Sequence, residues 1–167
     1  MANGVYERQG VFSKDGYGFI GKSTEFTPPA IEEVMQEHNA GGVGGTLEIP
    51  MGRVSNMEAT WTLKTADADA YKATHRNNVG IKYRASAVDD DGNEVPIRYE
   101  LWGRITRSEE SAKSPDGEST ITERMHVTAY SKYVNNELVR EIDIKAVVFK
   151  PDGGEDIWSG MRKSLGM

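Results

Sequence analysis

Alternation of apolar and polar residues with period two dominates this chain. In Met57-Glu58-Ala59-Thr60-Trp61-Thr62-Leu63-Lys64 every odd position is apolar and every even one polar, the pattern of an antiparallel strand with one buried and one wet face. From Val79 to Val88 the apolar set is Val79, Ile81, Tyr83, Ala85 and Ala87, with Lys82, Arg84 and Ser86 opposite. Asp89-Asp90-Asp91-Gly92-Asn93 is turn chemistry, since Gly92 and Asn93 tolerate positive φ. Alternation resumes at Val95, Ile97, Tyr99 and Leu101, which predicts a hairpin. Ile121, Met125, Val127 and Ala129 then alternate with Thr122, Arg124, His126 and Thr128; Asn135-Asn136 supplies a turn, and Glu137 to Asp143 forms a further strand. Ser108 to Ser119 is too polar to pack and reads as a long exposed loop.

Nearer the N-terminus, Gly16 to Gly21 and Ile31 to His38 are candidate strands separated by Thr27-Pro28-Pro29, whose prolines cannot sit in a central strand. Two segments read as helix. Ala66 to Arg76 is Ala-rich, with Thr65 or Asp67 available as cap. At the C-terminus Trp158, Met161 and Leu165 fall at i, i+3 and i+7 on one helical face, with Arg162 and Lys163 in the last turn, where cations suit the dipole. The expected fold is mainly β: an antiparallel sandwich or partly open barrel with one or two short helices, one of them covering an edge. The 167 residues suffice for a single domain with a real core, spanning 1–167.

One stretch does not fit a quiet monomer. Gly41, Gly42, Gly44 and Gly45 precede Thr46, Leu47, Glu48, Ile49, Pro50 and Met51. Glycines leading into alternating apolar residues make a flexible arm with exposed hydrophobics, which a monomer has no reason to keep. The bland alternative is that Leu47, Ile49 and Met51 fold back onto their own core.

Composition narrows function mostly by exclusion. With 37% hydrophobic and 28% charged residues the chain is neither disordered nor a membrane protein. No stretch approaches the roughly 18 apolar residues a spanning helix needs, so the subunit itself inserts in no membrane. The first residues, Met1 to Arg8, lack the apolar block of a secretory signal, which points to assembly in a cytoplasm. The absence of Cys excludes disulfides and thiolate metal sites. A net charge of −6 argues against general nucleic-acid affinity, which comes mainly from clustered Lys and Arg.

Candidate chemistry does not assemble. His38, His75 and His126 lack metal-site spacing, and a strand would put Glu123 and His126 on opposite faces. Gly41 to Gly45 has no Gly-Lys-Ser/Thr ending, and in the Asp89 to Asn93 cluster a calcium-loop count puts Ala87 where the first ligand belongs. There is no Gly-x-Ser-x-Gly elbow and no marked carboxylate pair. Trp61, Trp102 and Trp158 have no surrounding basic run, so they read as packing or interface residues rather than base-stacking platforms. The expectation is no catalytic residue, no cofactor, no metal, and no enzyme.

The order of several segments is more telling than any one. Val11-Phe12-Ser13-Lys14-Asp15-Gly16-Tyr17-Gly18-Phe19-Ile20-Gly21, Thr27-Pro28-Pro29, Glu37 to Gly45, Trp102-Gly103-Arg104, Glu141-Ile142-Asp143 and the terminal Ile157 to Met167 together resemble the major tail tube proteins of contractile phage tails and their bacteriocin relatives. Two departures are visible: Pro151-Asp152-Gly153-Gly154 stands where an Asn-Gly turn is usual, and Met167 where Leu is more common.

The resemblance implies a subunit that forms hexameric rings, joined edge to edge into one continuous β-barrel and stacked into a hollow tube within a contractile sheath. Its partners would be its own copies, the sheath protein, a baseplate or tube initiator, a tail terminator, and in the lumen a tape measure protein and then DNA without sequence-specific binding. The place would be a virion tail, assembled in the host cytoplasm. On that reading Gly41, Gly42, Gly44, Gly45, Thr46, Leu47, Glu48, Ile49 and Met51 form a subunit interface, and Glu58, Thr60 and Thr62 face the lumen. A lumen sharing the chain's negative charge would repel DNA phosphates and let a genome slide. The alternatives are the tube of a headless contractile bacteriocin or related injection system, and a monomeric β-sandwich module binding through the Ser108 to Ser119 loop.

Overall fold

The computed structural model describes residues 3–167; Met1 and Ala2, part of the segment read as lacking a signal, lie outside the described residues. Strand accounts for 54% and helix for 6% of the chain, all strand pairing is antiparallel, and the sheets are not closed in the monomer, so the mainly β expectation holds. The order is β1 (Val5–Lys14), β2 (Tyr17–Gly18), β3 (Ser23–Thr27), β4 (Glu33–His38), β5 (Leu47–Val54), β6 (Glu58–Leu63), β7 (Val79–Asp89), β8 (Glu94–Glu110), β9 (Ile121–Val134), β10 (Glu137–Asp143), β11 (Val148–Lys150) and α1 (Ser159–Ser164).

A nine-stranded sheet runs β11-β10-β9-β8-β7-β1-β2. One edge of β9 serves two strands end to end: its first half pairs with β6 and its second with β10. β3 extends the sheet from β6 and curls back over β1, where Phe26 stacks on Tyr83 with ring centroids 4.8 Å apart. Phe12 joins them from β1, 5.0 Å from Trp61. The result is a partly open barrel around Phe12, Trp61, Leu101, Ile105 and Met125, all fully or almost fully buried. On β6 and β7 the buried residues are the odd ones, as alternation predicts.

Corrections to the sequence reading have local causes. Ala66 to Arg76 is not a helix: only Ala68–Tyr71 makes a 3-10 turn, and Ala73 and His75 adopt φ of 63° and 61°, which ends helical winding. Thr65 does accept a hydrogen bond, from the Asp67 backbone N–H, but Asp67 caps nothing through its side chain. The expected loop from Ser108 starts later, because β8 continues to Glu110 by pairing with Ile121 on β9. Gly16 to Gly21 yields only the two-residue β2. In the Asp89 to Asn93 turn Gly92 takes the positive φ, whereas Asn93 is held by donating its backbone N–H to Asp89 Oδ1 at 2.8 Å. α1 is six residues long; Trp158 is buried and Met161 packs on the core, but Leu165 is 63% exposed.

Candidate functional site

Glu33 to Val54 does not join the main sheet. β4 and β5 pair only with each other, Met35 opposite Pro50, Gln36 opposite Ile49, Glu37 opposite Glu48 and His38 opposite Leu47. The expected flexible arm is therefore an ordered hairpin, with Gly41, Gly42, Gly44, Gly45 and Thr46 in its tip and Gly42 at φ 88°. Its base is fixed by the Ser55 N–H donating to the Glu32 carbonyl at 2.8 Å. At Gly52, φ is 69° and a Cβ would collide with the Met161 sulfur, so glycine is needed there to let α1 approach.

Leu47, Ile49 and Met51 are 49%, 45% and 39% exposed. They alternate along β5 and so lie on one face of the hairpin. A cleft of about 540 Å³ carries this apolar surface on to Ile157, Trp158 and Met161 beside α1. A second cleft, about 740 Å³, separates the hairpin from the main body and is lined by Met35, Glu48, Arg140, Phe149 and Ile157. Glu33, Glu37 and Glu48 have no ion-pair partner among the described residues.

Glu58, Thr60 and Thr62 lie on the outward face of β6. Register places Glu58 beside His126 and Arg104, and Thr60 beside Arg124 and Arg107. Arg124 Nε approaches Glu58 at 3.9 Å. The same face continues to Glu100, Lys82, Arg98 and Arg84 on β8 and β7. Cations outnumber carboxylates across it although the chain as a whole is acidic. The two lumen expectations therefore pull apart: a lumen lined by this face is not a repulsive acidic one.

Sequence reasoning missed a buried polar cluster. Lys14 and Glu123 are both fully buried, and the Lys14 ammonium donates to Glu123 at 3.1 and 3.2 Å and to the Ala70 carbonyl at 2.5 Å. The Trp61 indole N–H donates to the same carboxylate at 2.7 Å. Burial holds the Lys14 pKa below the ordinary lysine value, although Glu123 pulls it back up. The only available signal was a Glu at an odd, core-facing position of β9. Every donor is spoken for by a neighbour, which makes this a clamp on the Ala68–Tyr71 turn rather than a reaction centre. Among the described residues no cluster of His, Asp and Glu could hold a metal ion.

A mainly β body, a separate hairpin with an apolar face and a clamp without chemistry form the framework for the family comparison. The family model described as phage tail tube protein FII matches residues 10–166. The chain belongs to this phage tail tube family. The match includes the hairpin, both clefts and α1, so all of them are parts of the family's domain. Membership gives the chain a structural role in a tail tube, as a component of the virion tail. A search of curated proteins finds no match.

Proposed function

We propose that this tail tube subunit polymerises through the β4–β5 hairpin into hexameric rings that stack as the inner tube of a contractile tail. One observation carries the reading: Leu47, Ile49 and Met51 are exposed together on a hairpin that the main sheet does not cover. Burying such a face against a neighbour is favourable by about 25 cal/mol per Å² of apolar surface, and edge-to-edge joining of sheets also removes exposed strand edges. Gly41, Gly42, Gly44, Gly45, Thr46 and Glu48 complete the interface. The role is passive and non-enzymatic, a single domain spanning 1–167 that builds a conduit and transmits the sheath's stroke. A tape measure protein and then DNA occupy the lumen. The sheath, a tube initiator and a terminator are the other partners, and assembly takes place in the host cytoplasm.

The test is sedimentation velocity over a concentration series. Wild-type protein forms large polymers, and the Leu47→Ser/Ile49→Ser/Met51→Ser variant remains small while keeping the wild-type circular dichroism spectrum. A wild type that stays monomeric throughout contradicts the reading.

A further inference from the structure

The outward face of β7 and β8 carries charge that the monomer does not satisfy. Arg84 lies directly opposite Arg98 in the ladder, and like charges in that position destabilise a sheet. Arg98 is partly compensated, by Glu100 at 3.0 Å and by the Tyr133 ring, whose centroid is 4.2 Å away. Lys82 and Arg84 have no carboxylate partner among the described residues. Beside them Trp102, 50% exposed, lies over Gly80, where a Cβ would come within 2.9 Å of the indole. A cavity of about 230 Å³ opens between Trp102, Lys82, Glu100 and Ser13.

The hairpin presents the complementary case. Glu37 lies directly opposite Glu48, both exposed and both without a cation. Each surface is thus frustrated by like charges, and each carries the charge the other lacks. We propose that the face of β7 and β8 around Lys82, Arg84 and Trp102 receives the distal half of the β4–β5 hairpin of a second copy, with Glu37 and Glu48 set against Lys82 and Arg84. This rests on the self-assembly reading and deepens it by naming the receiving surface. The contact is heterologous, hairpin to sheet face, so repetition yields an open or ring-closing series rather than a two-fold dimer. Its attraction weakens with salt, because the charged groups are exposed before contact.

Reciprocal charge reversal tests it. Glu37→Lys/Glu48→Lys and Lys82→Glu/Arg84→Glu are made separately and together, and polymer mass is read by sedimentation at low and high salt, with thermal melting as a folding control. Each double variant is expected to lower polymer mass by about tenfold at low salt, and the combined variant to restore it to near wild type. Wild-type polymers that persist in both double variants overturn the pairing and leave self-assembly standing; a wild type that never polymerises overturns self-assembly itself. Intact polymerisation of Lys82→Glu/Arg84→Glu with loss of salt-sensitive duplex DNA retention overturns the pairing in favour of nucleic acid as the occupant.

Discussion

At the scale of single residues, stability is concentrated where polar groups are buried and where the backbone leaves no room. Removing one partner of the Lys14–Glu123 pair leaves the other charge buried and frees the Ala68–Tyr71 turn. Glu123→Ala is expected to cost about 3–5 kcal/mol in urea unfolding. Gly103 sits at an irregularity in the β8–β9 ladder, where a Cβ would collide with the His126 carbonyl oxygen. Gly103→Ala should cost about 3 kcal/mol, seen as a lowered Tm. Burial, with Glu7 adding to it, pushes the Tyr99 phenol up to about 12, and burial with the neighbouring Tyr99 does the same for Tyr130. These phenols ionise more readily in the unfolded chain, so their contribution is complete below the ordinary value of 10.0 and is lost as pH rises towards about 12. Alkaline titration followed at the tyrosinate absorbance should show ionisation of both rings together with unfolding, and titration at the ordinary value in the folded protein would contradict this.

Elements differ in how plainly the sequence announced them. β6, β7 and the first half of β8 were legible because strict alternation and a buried face coincide, so position parity alone identifies the core residues. The Ala66 to Arg76 segment was misread because alanine content signals helix propensity, whereas tertiary contacts decide here: Ala70 and Ala73 are buried and the Ala70 carbonyl is bound by Lys14. The hairpin's apolar residues stood out in sequence, but its order did not, since glycines at a turn and glycines in a flexible arm look alike. α1 is too short to be held by its own hydrogen bonds. Asp156 holds it instead, its Oδ1 accepting from the Phe149 and Trp158 N–H groups at 3.0 Å and its Oδ2 from Arg162 at 2.5 Å. Asp156→Ala is expected to cost about 2 kcal/mol and to speed hydrogen exchange selectively in α1.

On the scale of the whole molecule, the family was legible from the order of segments along the chain, and the match over residues 10–166 bears that out. Charge distribution was not legible, because a net value of −6 conceals a sheet face where arginines and lysine predominate. Which residues meet after alternation is set by register, and register is invisible to composition. The most direct check of the assembly reading is negative-stain electron microscopy of purified protein across a concentration series. Hollow filaments or sixfold rings appearing with concentration, and absent in Leu47→Ser/Ile49→Ser/Met51→Ser, are the predicted result. Featureless monomers at every concentration would contradict it.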